Sequence, residues 1–235
     1  MDARAWREEL GNTVREAMAS PEMNSYFAVP LTKARAQILI CQQGLFTRHR
    51  RNCWAYLSGN CPEFEIKQKI LEHEYEEVIK DDYSDQGHRE LIIRQGEAVG
   101  LSRDDILEAR PLPTTQAALY AWAWITRNKS WIEGIAALTV TEWNNDDRLL
   151  RDQGGGHSTR MAKKWQEELG LTWDKMPNYK AHGEADERHS EMFLPFLARF
   201  GTGANKELAV RAAKESLDLL KLYRKGVADA MTKID

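Results

Sequence analysis

The sequence predicts an all-α protein, and three observations support that prediction. Apolar residues recur at the three- and four-residue spacing that forms one face of a helix, as at Val210, Ala213, Leu217 and Leu220. No segment shows the strict alternation of apolar and polar residues that is typical of a strand. Glycines and prolines separate the periodic segments, where helices would end. We therefore expect seven or eight helices packed as one bundle.

The expected helix boundaries follow from turn-forming residues along the chain. Ser102, followed by Arg-Asp-Asp, is typical of an N-cap with acidic residues in the first turn. Neither an internal repeat nor a low-complexity linker divides the chain, so residues 1–235 are expected to form a single domain. The pattern predicts breaks at Pro30, Asn60, Gly87, Gly100, Pro111, Gly154, Gly170 and Gly201.

Composition argues against two classes of partner. The formal net charge is −3 and the charges are interspersed, so no nucleic-acid partner is expected. No apolar run approaches the roughly 20 residues that cross a bilayer, so no membrane association is expected either. The three cysteines lack CxxC spacing and no secretory signal precedes them, so we interpret them as reduced thiols of a cytoplasmic protein.

The segment from His182 to His189 offers three metal ligands on one helix face. His182, Asp186 and His189 are spaced by four and three residues, which brings their side chains to the same side of a helix. Imidazole nitrogens and carboxylate oxygens in this arrangement suit divalent iron or manganese. A solvated surface stripe is the alternative, and this segment alone does not decide between them. Tyr179 is a candidate proton or electron donor, or else an ordinary core residue.

Glu142 lies in the apolar run that begins at Trp131, on a helix that should be buried. A buried carboxylate is costly unless a cation or a proton compensates it, which makes Glu142 another candidate ligand. Alternatively, Glu142 marks the helix end and faces water beside Asn144 and Asp146. Glu133 is a weaker candidate, because an acid near a helix start is favourable without any metal.

A charged helix and a histidine after a turn provide the remaining candidates. His88 begins an amphipathic helix, where the helix dipole disfavours a protonated imidazole and leaves a neutral, ligating one. A run of charges on the preceding helix would normally be a solvated face, of which only one or two members can point inward. The members of that run are His73, Glu74, Glu76 and Glu77.

Together these segments resemble the haem-oxygenase-like dimetal oxidases, in the same order and over roughly residues 31–197. The stretch that begins at Arg94 is similar to part of pyrroloquinoline quinone synthase, a cofactor-independent enzyme of that fold. His182-Gly-Glu-Ala-Asp-Glu-Arg-His is nearly identical to a helix of the chlamydial protein associating with death domains, which forms para-aminobenzoate.

The resemblance implies a haem-oxygenase-like bundle that holds two Fe(II) ions, or manganese in place of one or both, with dioxygen as co-substrate. Glu74, Glu76 and Asp81 compete with Glu77 for one ligand position, because the turn before His88 is longer than in the chlamydial relative. A homodimer and a small-molecule substrate are also implied. The implied ligands are Glu77, His88, Glu142, His182, Asp186 and His189, with Glu142 as a bridging or terminal carboxylate that takes part in catalysis.

The reaction that we expect is oxidation of an amino acid or aromatic carboxylate, by cleavage, desaturation or N-oxygenation. Self-sacrificing para-aminobenzoate synthesis is an alternative, but no lysine follows Glu142 before Lys163, and the spacing around Tyr26 differs from that of the relative's sacrificed tyrosine. A metal-free enzyme of this fold and a non-catalytic helical binding module are further alternatives. The candidate clamps for a substrate carboxylate, which are otherwise ordinary surface residues, are Arg94, Arg148 and Arg151.

Overall fold

The structure is a computed structural model that describes residues 1–80, 84–182 and 191–234. All regular secondary structure in these ranges is helical, and residues 177–182 form a further helical segment. Besides this segment, the α-helices are α1 (Ala3–Met18), α2 (Pro21–Ala28), α3 (Lys33–Asn60), α4 (Phe64–Val78), α5 (His88–Ala98), α6 (Arg103–Leu107), α7 (Pro113–Asn128), α8 (Trp131–Glu142), α9 (Asp147–Leu150), α10 (His157–Leu169), α11 (Leu194–Phe200) and α12 (Ala204–Met231).

The predicted all-α class is confirmed. Eight of these helices have more than ten residues, namely α1, α3, α4, α5, α7, α8, α10 and α12, and the other four are short connecting helices. No described residue belongs to a strand. None of the described helices is both long and apolar enough to span a membrane.

The predicted breaks coincide with helix ends, because their residues suit the backbone conformations and caps that end a helix. Asn60 is the last residue of α3, and Gly87 precedes the first residue of α5. Gly170 ends α10 with a φ of +65°, in the left-handed region that glycine adopts without steric cost. Ser102 and Asp105 form a reciprocal capping box at the start of α6, as the sequence indicates.

The core is organised around α8, which packs between α7 and α12. All residues of α8 after Trp131 are buried. Ser216 of α12 joins the three helices, because its hydroxyl donates to the Ala137 carbonyl of α8 at 2.7 Å and accepts from Trp122 Nε1 of α7 at 2.9 Å. This packing fixes the C-terminal end of α8, and therefore Glu142, in the interior of the bundle.

Candidate metal centre

Glu77, His88 and His182 converge in the bundle interior. A ligand atom from each lies within 4.8 Å of the others, although the three residues come from α4, α5 and the helical segment 177–182. His88 Nδ1 is 3.1 Å from Glu77 Oε2, and the centroids of the His88 and His182 rings are 4.6 Å apart. Two imidazoles and one carboxylate at this separation are a donor set that suits iron or manganese.

The junction between α4 and α5 explains why His88 meets Glu77. Gly87 lies directly against the end of α4, where an added Cβ would be 2.1 Å from the Val78 carbonyl oxygen. Only a residue without a side chain allows this approach. Because Val78 follows Glu77 and Gly87 precedes His88, the close contact brings the two ligand candidates together.

The carboxylate of Glu77 is ionised in the interior. Burial raises the pKa of Glu77, but the nearby guanidinium of Arg51, followed by His88 and His182, outweighs burial and holds it well below its usual value. Arg51 Nη1 is 3.0 Å from Glu77 Oε2 and 2.9 Å from Glu74 Oε1. Glu77 is therefore available as an anionic ligand at neutral pH.

Glu142 is the last residue of α8 and is only 9% exposed. It does mark a helix end, as one interpretation proposed, but its side chain faces the interior rather than bulk water. Arg50 Nη2 donates to Glu142 Oε1 at 2.6 Å. Burial raises the pKa of Glu142, while Arg50 and then His73 lower it, and the resulting pKa is about 2.

A narrow cavity joins Glu142 to the Glu77 cluster. Its volume is about 30 Å³, room for roughly two water molecules. Glu142 lies outside the group whose ligand atoms are all within 4.8 Å, but it lines the same cavity as Glu77 and His182. The charged residues and imidazoles that line the cavity are Arg50, Arg51, Glu77, Glu142, His157, His182 and Arg224.

Three of the predicted candidates cannot be placed. Asp186, His189 and Asp81 lie outside the described residues. The assignments of Asp186 and His189 as ligands therefore stay predictions. Among the described competitors for the first carboxylate position, Glu77 is the one that joins the histidine cluster, whereas Glu74 contacts Arg51 and His73.

His73 is an inward-facing member of the charge run on α4, although most members of such a run would be solvated. It is fully buried, four residues before Glu77 and therefore on the same face of α4. Its ring packs against Trp54 at a centroid distance of 4.9 Å, and its Nδ1 atom is 3.1 Å from Glu74 Oε1. The four-residue spacing to Glu77 is the sequence signal that identifies these two as the inward-facing members of the run.

Tyr179 lies in the core rather than in the lining of the cavity. It is 1% exposed, and its backbone N–H donates to Gln95 Oε1 at 3.2 Å. Its ring meets Trp165 edge-on at 5.5 Å, and burial raises its pKa well above the usual value. Its hydroxyl donates to Oε1 of Gln43, a residue that lines the cavity, at 3.5 Å, and the catalytic role of Tyr179 stays a prediction.

The arginines that face the cavity are not those suggested by the sequence. Arg94 is exposed near Gln86, Arg148 pairs with Asp146 and Glu191, and Arg151 is exposed. The cavity is lined instead by Arg50, Arg51 and Arg224. Sequence spacing could not identify them, because each lies on a long helix whose other charged residues are solvated.

Comparison with known proteins identifies the family and supports the fold. A family model described as "iron-containing redox enzyme" matches residues 39–224. Pyrroloquinoline-quinone synthase of Acinetobacter baumannii strain AYE is 34% identical over 89 residues, which is 37% of this chain and 34% of that protein. The Klebsiella pneumoniae (strain 342) synthase is 36% identical over 93 residues. The chain thus matches about a third of the length of these curated relatives.

Two solved structures share the fold over their whole length. A domain with a heme oxygenase-like fold from Shewanella denitrificans OS217 has a TM-score of 0.75 at 18% identity, covering 99% of this chain and 93% of that one. A TenA homolog from Pseudomonas syringae pv. tomato has a TM-score of 0.65 at 12% identity, covering 100% and 96%. With the match to residues 39–224, these likenesses show that the chain belongs to the iron-containing redox enzymes and has the haem-oxygenase-like fold.

Proposed function

We propose that this protein is an oxidase that uses two iron ions and dioxygen to oxidise a small molecule. The observation that carries the proposal is the convergence of Glu77, His88 and His182 within 4.8 Å. The donor chemistry fits iron, which the family also indicates, and it fits manganese equally well. When bound, the ions would supply the one-electron steps by which dioxygen reacts with an organic molecule.

The ligand set that we propose extends beyond the described cluster. Glu142 lines the same cavity and is ionised, and Asp186 and His189 follow His182 at helical spacing. Six such ligands shared by two ions leave coordination positions for exogenous molecules. The full proposed set is Glu77, His88, Glu142, His182, Asp186 and His189.

Arg50 and Arg51 keep the two cavity carboxylates ionised and in place. Each guanidinium contacts one cavity carboxylate, Arg50 on Glu142 and Arg51 on Glu77. These contacts hold the carboxylates in their charged form and fix their positions, so no proton has to leave when a metal ion arrives.

The substrate that we propose is external, an amino acid or aromatic carboxylate. The alternative, sacrifice of a tyrosine of this chain to make para-aminobenzoate, is less well supported. The Tyr26 hydroxyl already bonds His157 and Arg224, and Tyr26 itself does not line the cavity. We also expect a cytoplasmic protein, from its cysteine pattern, and a homodimer, as the family resemblance implies.

A metal-independent enzyme of the same fold is the second candidate. It is favoured by the ion pairs of Arg50 with Glu142 and of Arg51 with Glu77, which compensate both carboxylates without a metal. The similarity to pyrroloquinoline-quinone synthase over a third of its length points to the same alternative. The two candidates differ in their response to chelation.

The proposal is tested by anaerobic titration of the metal-free protein with Fe(II). We expect about two equivalents of tightly bound iron. His88→Ala and His182→Ala should each lose at least one equivalent, while His49→Gln, outside the described ligand cluster, should bind iron like the wild type. A wild-type protein that binds no iron would remove the proposal.

Oxygen uptake separates the two candidates. Amino acids and aromatic carboxylates are screened with the iron-loaded protein and again after exhaustive chelation. Uptake that depends on iron supports the dimetal oxidase. Full turnover after chelation would instead identify the metal-independent enzyme.

A further inference from the structure

Arg224 is a buried cation in the cavity with no acidic partner among the described residues. It lies on α12, is 3% exposed and lines the same cavity as Glu77, Glu142 and His182. Its Nη1 atom donates to the Tyr26 hydroxyl at 3.0 Å, whereas its Nε atom is buried without an acceptor. A buried charge without a counter-charge is unfavourable, so this arrangement calls for an anion.

The surroundings of Arg224 hold the guanidinium in a fixed orientation. Its Cζ atom lies 5.0 Å from the centroids of both the Tyr26 and Tyr223 rings, on which it makes cation–π contacts. Such contacts orient the group but do not replace a desolvated ion pair. Because Nη1 is bonded to Tyr26, the edge formed by Nε and Nη2 is the one left for a ligand.

The Tyr26 hydroxyl cannot neutralise Arg224, because its proton is committed elsewhere. Arg224 has no acceptor atom, so the Tyr26 oxygen accepts from it. The hydroxyl proton then points to His157 Nε2, 3.0 Å away. Burial, followed by Arg224, holds the pKa of His157 well below its usual value, which leaves the imidazole neutral and able to accept. Tyr26 therefore remains a neutral phenol.

We propose that the Nε and Nη2 edge of Arg224 binds a carboxylate of the substrate. A guanidinium edge matches the two oxygens of a carboxylate in a pair of parallel hydrogen bonds. The inference rests on the proposed function and deepens it, because it names the residue on α12 that holds the carboxylate of the substrate. The part to be oxidised then extends towards Glu77 and His182, in the same cavity.

The charges in the cavity favour a monoanion over a phosphate dianion. Three guanidinium groups line it, from Arg50, Arg51 and Arg224, against the carboxylates of Glu77 and Glu142. In the metal-free protein these described residues leave one positive charge, which a carboxylate balances and a dianion exceeds.

The experiment compares acetate with acetamide on the metal-free protein. The two molecules have nearly the same shape and differ in charge, and their apparent dissociation constants are measured by thermal-shift titration at constant ionic strength. Working without metal ensures that acetate cannot bind through iron. We expect acetate to stabilise the wild type and acetamide to bind at least tenfold more weakly. Equal binding of the two molecules would overturn the proposal.

Variants of Arg224 locate the site. Arg224→Gln should weaken acetate binding at least tenfold, and Arg211→Gln, an exposed arginine of the same helix, should leave it unchanged. Arg224→Lys keeps the charge but not the two-pronged donor edge, so we expect at least threefold weaker binding. If Arg224→Gln does not fold, Arg224→Lys decides, and wild-type affinity in either folded variant would overturn the proposal.

Iron titration of the same variants separates this inference from the proposed function. Arg224→Gln should bind as much iron as the wild type. If acetate binds through Arg224 in a protein that binds no iron, the carboxylate site stands and the dimetal oxidase falls. If iron binds while acetate affinity is independent of Arg224, only the carboxylate site falls.

Discussion

Arg50 donates hydrogen bonds both to a backbone carbonyl in the last turn of α8 and to the side-chain carboxylate of Glu142. Its Nη2 atom donates to the Leu138 carbonyl at 2.9 Å and to Glu142 Oε1 at 2.6 Å. The C-terminal end of a helix favours a cation and disfavours an anion. Arg50 therefore stabilises both the last turn of α8 and the buried charge of Glu142. Burial raises the pKa of Glu142, but Arg50, together with His73 and Arg51, brings it down to about 2.

Arg50→Met should destabilise the metal-free protein, because it leaves the carboxylate of Glu142 buried without its partner. We expect a loss of about 3–5 kcal/mol in the free energy of unfolding at pH 7. Iron should reduce the loss, since a bound cation replaces the missing charge. Denaturant unfolding with and without iron measures both effects, and Arg48→Met, at an exposed position on the same helix, is the control.

The effect of Arg50→Met should also depend on pH. The pKa of Glu142 is about 2 in the folded protein and near 4.5 in the unfolded chain, so its ionised form contributes fully above about pH 4.5. That contribution is lost as the pH falls towards 2. The difference between wild type and variant should therefore narrow below pH 4.5, and a difference that stays constant down to pH 3 would contradict this account.

Gly87→Ala should weaken iron binding without changing any ligand. The added methyl group would collide with the Val78 carbonyl, and relief of that collision must move His88 away from Glu77. We expect at least a tenfold loss of iron affinity together with lower thermal stability. Gly59→Ala, in α3 with open space around the added atom, should leave iron affinity unchanged and should not lower thermal stability. Iron titration that finds equal affinity in both variants would show that the junction does not position the ligand.

His157→Gln should reduce the sensitivity of the metal-free protein to mild acid. The pKa of His157 lies well below 6.5 in the folded state, so below pH 6.5 the unfolded chain binds a proton that the folded protein does not. Its contribution to stability is thus full above pH 6.5 and falls by up to about 1.4 kcal/mol per unit as the pH drops.

Denaturant unfolding at pH 6.5 and 5.5 measures this slope in both proteins. His49, whose pKa is lowered to about 4 by burial and then by Arg50, contributes a similar slope and remains in the variant. His49→Gln therefore serves as the matched comparison, since it should remove its own share and leave that of His157. An unchanged slope in His157→Gln would mean that His157 takes up a proton in the folded protein.

The helices were predictable from sequence because their signals are local. Ser102 and Asp105 form the expected capping box, and Gly170 ends α10 where the pattern breaks. A site residue could be predicted only where a charged side chain lies in an apolar segment, as Glu142 does at the end of the apolar run that begins at Trp131. The meeting of Glu77 with His88 was suggested by their order in the family, not by any distance that spacing could give.

The contacts that hold Arg224 beside the cavity could not be predicted, because they have no local signature in the sequence. Tyr26 and His157 are 131 positions apart, and Tyr26 and Arg224 are 198 positions apart. Nothing in the sequence around Arg224 separates it from the solvated lysines and arginines of α12. Its burial results from the packing of α12 against α2 and α8, which brings it beside Tyr26.

The contact between Val78 and Gly87 closes the connection from α4 to α5 at its base. Residues inserted between Val78 and Gly87 can extend outward without moving Glu77 or His88, which lie on either side of this contact. Connection length and ligand geometry are therefore independent in this bundle.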